Sequence, residues 1–451
     1  MKIAFIHYNI GEEGGVNSVM RINAITLKKL IKNVQISFIG SYMGKIIDGK
    51  GFHYTDLPEL GITQKRISDF SSMNVSQYIK MGDKIYDKLV KCTKDIDHVI
   101  IENPIIGIHP PATYAFYKFI SNTKKRVRYR VHDFPQDRKT NFIDLLKFNG
   151  QGKTPSWREI VYPSKNVEYF VLTKHDLNLL LENGIKENQV FHIPNPINKN
   201  LLQKDTKGSM LLRSSIIKKH KLNPKVKFLL YPVRVIPRKN VEEAIFIVQF
   251  LNLWLNEKYH LLVTLFEKSM EKEDYANTLV RFVEKNNLPV TLGLDLLANR
   301  IVKSNKIEEF AIGDAYNICE SAITTSRLEG FGLFFIESWL FNKPIFGRNL
   351  SNSTNDFKEE GLDLSVFYDK LIVNGKDYKN IKDLKEKLSL ILKLKEERFL
   401  NKVYEANKNI FDKIENLLKG KDKKFILRNK KKVLLHYSAE SIAKKILKAM
   451  N

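Results

Sequence analysis

Residues 326–344 read SRLEGFGLFFIESWLFNKP, and they follow a short β-compatible run from Ser321 to Thr325. After that run comes a loop with two glycines, and then about ten helix-compatible residues that end at Asn342-Lys343-Pro344. A second strand-like run begins at Ile345. Strand, loop, helix and strand in this order indicate a parallel sheet, whose ligands bind beyond the C-terminal ends of the strands. The stretch therefore predicts an α/β fold with a ligand site in this loop.

Two carboxylates stand in this stretch. Glu329 lies in the loop, and Glu337 lies one to two turns into the predicted helix, so both can face one crevice. The backbone amides of residues 331–334 fall at the helix N-terminus, a position that favours phosphate. If no ligand binds here, Glu329 caps the loop and Glu337 is a solvated helix residue.

The spacing of Glu329 and Glu337, with Gly-Phe-Gly-Leu after the first and Lys-Pro after the helix, resembles the E-x7-E signature of retaining GT-B glycosyltransferases of the group 1, or family 4, type. The resemblance implies that Glu329 contacts hydroxyls of the donor sugar and that Glu337 holds the nucleotide ribose. It also implies two Rossmann-like, doubly wound α/β domains that face each other across a cleft, with a C-terminal helix that crosses back to the first domain. The loop residues that would join the donor site are Gly330, Phe331, Gly332 and Leu333.

Composition limits the class of protein. The 451 residues suffice for two or three domains, and Lys plus Arg exceed Asp plus Glu by 75 − 50 = 25. This excess suits an anionic ligand, an anionic membrane surface or nucleic acid, although a general richness in Lys would give the same value. Two distant cysteines favour a reduced, cytoplasmic setting. His7 and two following glutamates interrupt the apolar N-terminal run, so we predict a buried strand there and not a signal peptide.

The first strand leads into a loop with paired glycines, Gly14 and Gly15, and then into a helix predicted over residues 17–31. Paired glycines let a backbone approach a ligand closely, and the following helix N-terminus favours anions. This loop resembles the Gly-Gly loop that approaches the donor diphosphate in the same glycosyltransferases. An ordinary strand-to-helix turn is the alternative.

A later strand, Val127 to Val131, ends in a loop that begins with His132 and Asp133. By resemblance, His132 belongs to the loop from which related retaining enzymes contact the donor sugar across the cleft, and we count it among the catalytic residues. Asp133 and Arg138 are candidates for contacting an acceptor. A polar loop held by its own side chains is the alternative for all three.

Arg234 ends a strand that begins at Lys227, and Lys239 stands just before a predicted helix N-terminus. Two cations and free amides in this arrangement can converge on a diphosphate, since Arg offers a fork of donors and Lys a point charge. The spacing resembles the R-x-x-x-x-K element that neutralises the leaving nucleoside diphosphate in the family. Arg238 departs from the acidic residue often found before that lysine.

We predict four parts of the chain. Residues 1–197 form an N-terminal Rossmann-like acceptor domain, and residues 198–224, which are polar and rich in Lys, form an interdomain linker. Residues 225–432 form a Rossmann-like nucleotide-sugar domain, and residues 433–451 form the helix that returns to the first domain.

The function predicted from the resemblance is transfer of a hexose from a nucleoside diphosphate sugar to an acceptor hydroxyl with retention of configuration. Catalytic roles fall to His132, Arg234, Lys239 and Glu329. Since Asp95-Ile96-Asp97 looks like a helix-to-strand turn, we predict no metal and no other cofactor. The acceptor is a glycan, a lipid-linked sugar or a small molecule, in surface polysaccharide, glycolipid or other glycoconjugate synthesis.

Two alternatives remain open from the sequence. A sugar-nucleotide epimerase of the same fold would bind the diphosphate but need no acceptor. A basic, non-enzymatic protein would bind membranes or nucleic acid through its lysine runs, such as residues 419–424 and 430–432. Because no nucleic-acid module is recognised, we expect no nucleic-acid partner, and we expect any membrane contact to be peripheral, on the cytoplasmic face.

Overall fold

The computed structural model describes residues 1–12, 14–42, 51–202, 206–265, 270–294, 296–297, 299–303, 306–420 and 424–450. The chain forms two compact units, one of Met1–Pro196 with Tyr437–Asn451 and one of Ile197–His436. Each unit has a parallel sheet with helices, so the predicted α/β fold class is confirmed.

The first unit is built on a seven-stranded parallel sheet in the order β3-β2-β1-β4-β5-β6-β7. Its strands are β1 (Lys2–Ile10), β2 (Gln35–Tyr42), β3 (Phe52–Asp56), β4 (His98–Glu102), β5 (Arg126–Val131), β6 (Val167–Val171) and β7 (Val190–His192). The central strands are apolar along most of their length because helices cover both faces of a parallel sheet. Because β1 pairs with β4 and β4 with β5 in parallel, the C-terminal ends of these three strands meet at one edge of the sheet.

Seven helices precede the junction to the second unit in the described residues. They are α1 (Gly15–Leu30), α2 (Gln64–Ser72), α3 (Val75–Cys92), α4 (Pro110–Asn122), α5 (Lys139–Leu145), α6 (Trp157–Val161) and α7 (Lys174–Glu182).

The second unit contains a six-stranded parallel sheet in the order β10-β9-β8-β13-β14-β15, and two antiparallel pairs, β11-β12 and β16-β17. Its strands are β8 (Lys227–Arg234), β9 (Tyr259–Leu265), β10 (Val290–Leu292), β11 (Ile301–Lys303), β12 (Lys306–Glu309), β13 (Cys319–Thr324), β14 (Ile345–Arg348), β15 (Phe367–Tyr368), β16 (Ile372–Val373) and β17 (Lys376–Asp377). Its helices are α8 (Lys207–Lys219), α9 (Val241–Leu255), α10 (Met270–Lys285), α11 (Ile312–Ile318), α12 (Phe334–Leu340), α13 (Ser351–Glu359), α14 (Leu384–Lys393), α15 (Glu397–Leu418) and α16 (Lys424–Tyr437).

The last helix, α17 (Ala439–Met450), packs on the first unit, as the fold resemblance implies. Ile442 and Ile446 are buried in one cluster with Phe5 of β1 and Leu27 of α1. Arg126 donates a hydrogen bond of 3.0 Å to the backbone oxygen of Met450, which fixes the C-terminal end of the helix. The terminal helix therefore completes the apolar layer on one face of the first sheet.

The segment predicted as a linker, residues 198–224, contains the 13-residue helix α8 and lies in the second unit. Its lysines are mostly exposed, but Leu212 and Ile216 are buried at helical spacing, and Ser209 donates a 2.9 Å hydrogen bond to Asp314 of α11. The segment was predicted as a linker because its composition is polar and rich in lysine. Its apolar stripe is too narrow to identify from composition.

Candidate functional site

The signature loop and the basic loop of the second unit follow neighbouring strands. Strands β8 and β13 pair in parallel, so the loops that leave their C-terminal ends lie side by side. Arg234, the last residue of β8, is exposed, whereas Lys239, in the turn before α9, is only 7% exposed. The structure therefore brings the two motifs that the sequence singled out to one edge of the sheet.

Lys239 and Glu329 form a close ion pair. The Nζ atom of Lys239 lies 2.5 Å from both carboxylate oxygens of Glu329, and the two side chains are 9% and 8% exposed. Arg238 donates a 3.0 Å hydrogen bond to the backbone oxygen of Leu328, and its Nη1 atom lies 3.6 Å from Glu329 Oε2. Two cations of the basic loop thus face the first glutamate of the signature.

Backbone and hydroxyl contacts hold the two loops together. The buried Tyr231 hydroxyl donates a 2.6 Å hydrogen bond to the Lys239 backbone oxygen and accepts one of 3.2 Å from the Thr325 amide. The Arg327 amide donates to the Arg238 backbone oxygen at 2.9 Å. These bonds fix the backbone on which Lys239 and Glu329 stand.

Asn240, which follows Lys239, adopts the left-handed conformation, with φ of 52° and ψ of 45°. Asn is one of the few residues with a side chain that tolerate this conformation. Its amide donates to Glu243 at 2.6 Å and to the Thr325 backbone oxygen at 3.1 Å, while its oxygen accepts from Lys387 at 3.1 Å. The residue therefore makes the turn into α9 and ties that turn to both loops.

The remaining signature residues form a compact turn into α12. Gly332 has a φ of +76°, and a Cβ atom there would lie 2.6 Å from the ring of Phe335. Phe331 is buried, Gly330 accepts a 3.3 Å hydrogen bond from Ser353, and Leu333 caps the helix. The helix has seven residues rather than about ten, because residues 341–344 form a turn before β14.

Glu337, the second glutamate of the signature, lies half-buried in α12. Burial raises the pKa of its carboxyl to about 7, because transfer out of water disfavours the charged form. A carboxyl with this pKa is partly protonated near neutral pH, unlike an ordinary surface glutamate. Glu329, in contrast, lies beside two cations, Lys239 and Arg238.

In the first unit, Gly14 and Gly15 stand where β1 leads into α1. Gly14 is extended, with a φ of 168°, and Gly15 begins the helix. A Cβ atom at either position would meet no other atom within 4 Å. Neither the backbone conformation nor the packing of the unit requires glycine at these two positions.

His132 lies at the C-terminal end of the sheet of the first unit and is paired with a buried carboxylate. Its Nε2 atom lies 2.6 Å from Oε2 of Glu102, the last residue of β4, which has no exposed surface. The backbone amides of His132 and Asp133 both donate to the Asn103 side chain, at 3.3 and 3.2 Å. Neighbouring strand ends thus fix the position of the imidazole.

The two residues proposed to contact an acceptor are paired with each other. Arg138 donates a 3.1 Å hydrogen bond to Asp133, and both side chains are about one quarter exposed. Burial raises the pKa of the nearby Asp137 carboxyl above its usual value, although a hydrogen bond from the Phe134–Asp137 turn opposes the shift. The loop after His132 is thus partly held by its own side chains, as the alternative interpretation proposed.

Glu102 and Asn103 were not identified from the sequence. Both follow the apolar run of β4, and a carboxylate at the end of a parallel strand beside the His132 strand was the available signal. Recognising it required the strand order, since β4 and β5 are separated in sequence by α4.

The predictions about metal and membrane stay predictions. Among the described residues, no group of three or more His, Cys, Asp or Glu side chains is arranged to hold a metal ion. No helix in the described ranges is long and apolar enough to span a bilayer. Residues 421–423 of the first lysine run lie outside the described residues.

The chain is similar in sequence to two curated proteins. No family model matches it. A mannosylglucosyl-3-phosphoglycerate synthase from Petrotoga mobilis is 26% identical, over 90% of this chain and 83% of that protein. A mannosylglucosylglycerate synthase from the same organism is 24% identical, over 76% of this chain and 81% of that protein.

Solved structures share the architecture at low identity. HepE from Anabaena, in complex with UDP and glucose, has a TM-score of 0.61 at 13% identity and is covered over 99% of its length by the whole of this chain. Sucrose-phosphate synthase from Thermosynechococcus elongatus has a TM-score of 0.60 at 13% identity, with 100% and 98% coverage of this chain and that chain. The fold and the curated relatives together identify the chain as a glycosyltransferase with the GT-B fold.

Proposed function

We propose that this enzyme transfers a hexose from a nucleoside diphosphate sugar to an acceptor hydroxyl with retention at the anomeric carbon. The observation that carries the proposal is the pairing of Lys239 with Glu329 in loops that leave two adjacent parallel strands. A cation and a carboxylate at such a position suit a ligand that is charged at one end and rich in hydroxyls at the other. A nucleoside diphosphate sugar has these properties.

In the proposed reaction, the bond between the anomeric carbon and the diphosphate oxygen breaks, and a bond to the acceptor oxygen forms on the same face. The acceptor proton passes to an oxygen of the leaving diphosphate, so the step needs no further reactant. Arg234 and Lys239 stabilise the charge of that leaving group, an electrostatic contribution that is large in many enzymes. These cations take the place of a metal ion in the proposal.

Glu329 accepts hydrogen bonds from hydroxyls of the donor sugar, and Glu337 accepts them from the ribose. His132 contacts the donor sugar from the first unit, with its ring orientation fixed by Glu102. Gly14 and Gly15 allow the backbone to approach the diphosphate, which fits the open space around both Cβ positions. Asp133 and Arg138 contact the acceptor.

The acceptor class that we propose first is a small, anionic glycoside. The names of both curated relatives describe products in which sugars are joined to a glycerate, in one case phosphorylated. A formal charge of +25 suits an anionic acceptor as well as an anionic donor. Lipid-linked and polymeric glycans form the second group to test.

The test is a donor panel of UDP, GDP, ADP and TDP hexoses with glucosylglycerate, its 3-phosphate, and lipid-linked glucosides as acceptors. We expect one nucleotide to support transfer, in EDTA as well as in Mg²⁺, with an α-configured donor giving an α-linked product by NMR. Arg234→Ala should reduce kcat/KM by at least 100-fold while leaving the melting temperature unchanged. An inverted product, or activity abolished by EDTA and restored by Mg²⁺, would contradict the mechanism.

The same panel separates the enzyme from its alternatives. An epimerase would consume the donor without acceptor and yield an epimeric sugar. For peripheral membrane contact, which also remains a proposal, flotation with vesicles containing anionic lipid and with neutral vesicles gives an independent test. Binding to both vesicle types alike, or to neither, would exclude an electrostatic membrane contact.

A further inference from the structure

Arg238 stands beside the ion pair at the centre of the proposed donor site. Its Nη1 atom lies 3.6 Å from Glu329 Oε2, and the same nitrogen donates a 3.0 Å hydrogen bond to the Leu328 backbone oxygen. Its Nε atom is buried and makes no hydrogen bond among the described residues. Arg238 thus has donor capacity left, next to a carboxylate that is 8% exposed.

The proposed function makes two demands on Lys239. In the structure, its ammonium group lies 2.5 Å from both oxygens of Glu329. In the proposed reaction, the same ammonium must neutralise the diphosphate. Two of its three N–H donors are directed at Glu329, and a diphosphate that engages more than one donor weakens that pair, so we take donor binding to draw Lys239 away from Glu329. That movement would leave a largely buried carboxylate without its closest cation, which is strongly unfavourable.

We infer that Arg238 becomes the counter-ion of Glu329 when Lys239 moves to the diphosphate. This inference rests on the proposed function and assigns Arg238 as a positioning residue within it. Closing the 3.6 Å separation to a charge-assisted hydrogen bond needs a shift of less than about 1 Å. Because the Arg327 amide bonds to the Arg238 backbone oxygen, the required movement is confined to the side chain.

The arrangement makes Glu329 a competitor of the diphosphate for Lys239. Removing the charge of Glu329 therefore frees Lys239 and should strengthen binding of a nucleoside diphosphate without sugar, even though transfer is lost. Removing Arg238 has the opposite effect, since Lys239 is then needed at Glu329. When Glu329 is already neutral, removing Arg238 should no longer matter.

The experiment measures the Kd of the free nucleoside diphosphate that wild type selects, by calorimetry, for four proteins: wild type, Glu329→Gln, Arg238→Gln and the double variant. We expect Arg238→Gln to weaken binding about tenfold and Glu329→Gln to strengthen it severalfold. The double variant should match Glu329→Gln within about twofold. Arg238→Lys should recover part of the affinity, and thermal melts should show that each variant is folded.

Three outcomes would overturn the inference. Unchanged affinity in Arg238→Gln would show that no replacement counter-ion is needed, and weaker binding in Glu329→Gln would show that Glu329 does not compete. An equal loss from Arg238→Gln in both backgrounds would mean that Arg238 contacts phosphate directly. If wild type bound no nucleoside diphosphate at all, the proposed function itself would fail, which distinguishes that failure from the other three.

Discussion

At the scale of single residues, two glycines of the proposed donor site are present for different reasons. Gly332 is left-handed and packs against Phe335, whereas Gly14 is extended and surrounded by open space. We expect Gly332→Ala to cost about 1–3 kcal/mol of stability. Gly14→Ala should leave stability within about 0.5 kcal/mol but weaken nucleoside diphosphate binding about tenfold or more, because the new methyl blocks close approach of the ligand.

Urea unfolding and calorimetry check this pair, each variant serving as the control for the other. If Gly14→Ala binds the nucleotide as wild type does, the loop has no role at the diphosphate. The sequence predicted a ligand role for both glycines. It could not separate them, because only the backbone angles and the neighbouring side chains show which glycine the fold itself requires.

Glu337 is expected to give opposite pH dependences to stability and to binding. Burial raises its folded pKa from 4.5 to about 7, so between these values the folded state binds more protons than the unfolded state. Stability should therefore fall as pH rises from about 4.5 to 7, by up to about 3 kcal/mol. Ribose binding should strengthen over the upper part of that range, because the ionised carboxylate accepts two hydrogen bonds.

Glu337→Gln should be more stable than wild type above pH 7 and should lose this part of the pH dependence of nucleotide affinity. Urea titrations and calorimetry at pH 6 and pH 8 give both readouts. A wild-type nucleotide affinity that is constant between these two pH values would argue against ribose binding by Glu337. Sequence spacing identified this residue, but its raised pKa follows from burial, which sequence does not show.

At the scale of elements, a buried ionic cluster joins the start of α9 to β14 and β17. Arg348, with essentially no exposed surface, donates to both oxygens of Glu243 at 3.0 and 2.7 Å and to Asp377 at 2.9 and 3.2 Å. The Tyr368 hydroxyl donates to Glu243 at 2.7 Å. The cluster lies directly after Asn240 and so supports the turn that carries Lys239.

We expect Arg348→Met to destabilise the second unit by about 3–5 kcal/mol, because it removes the buried cation that Glu243 and Asp377 share. Lys379→Met is the matched control, since Lys379 lies 3.9 Å from the same Asp377 but is 40% exposed, and it should cost less than about 1 kcal/mol. Equal losses in the free energy of unfolding, measured in urea, would show that burial does not determine how much each ion pair contributes to stability.

Helices and strands with strong apolar patterns could be predicted from the sequence, but the buried ionic cluster around Arg348 could not. The predicted strand from Lys227 to Arg234 is β8, and the helix predicted just after Lys239 is α9. Glu243 and Arg348 are 105 positions apart, and in isolation each reads as a surface residue. Their partnership depends on the strand order of the sheet, which no local pattern encodes.

At the scale of the whole molecule, the first and last segments of the chain belong to one unit. The terminal helix α17 buries Ile446, with 1% exposure, against β1 and α1. The sequence predicted this return through the fold resemblance. It did not predict that residues 207–219 form a helix of the second unit, because the lysines there dominate the composition.

Ile446→Ala should therefore destabilise the first unit by about 2–5 kcal/mol, through loss of buried apolar contacts and the cavity left behind. Hydrogen exchange should show faster exchange in α1 and β1, with little change in β8 and β13. Arg348→Met is the reciprocal control, and it should accelerate exchange in the second unit while sparing α1. If either substitution accelerated exchange equally in both units, the two would unfold as one cooperative body, and their separation into two stable cores would be wrong.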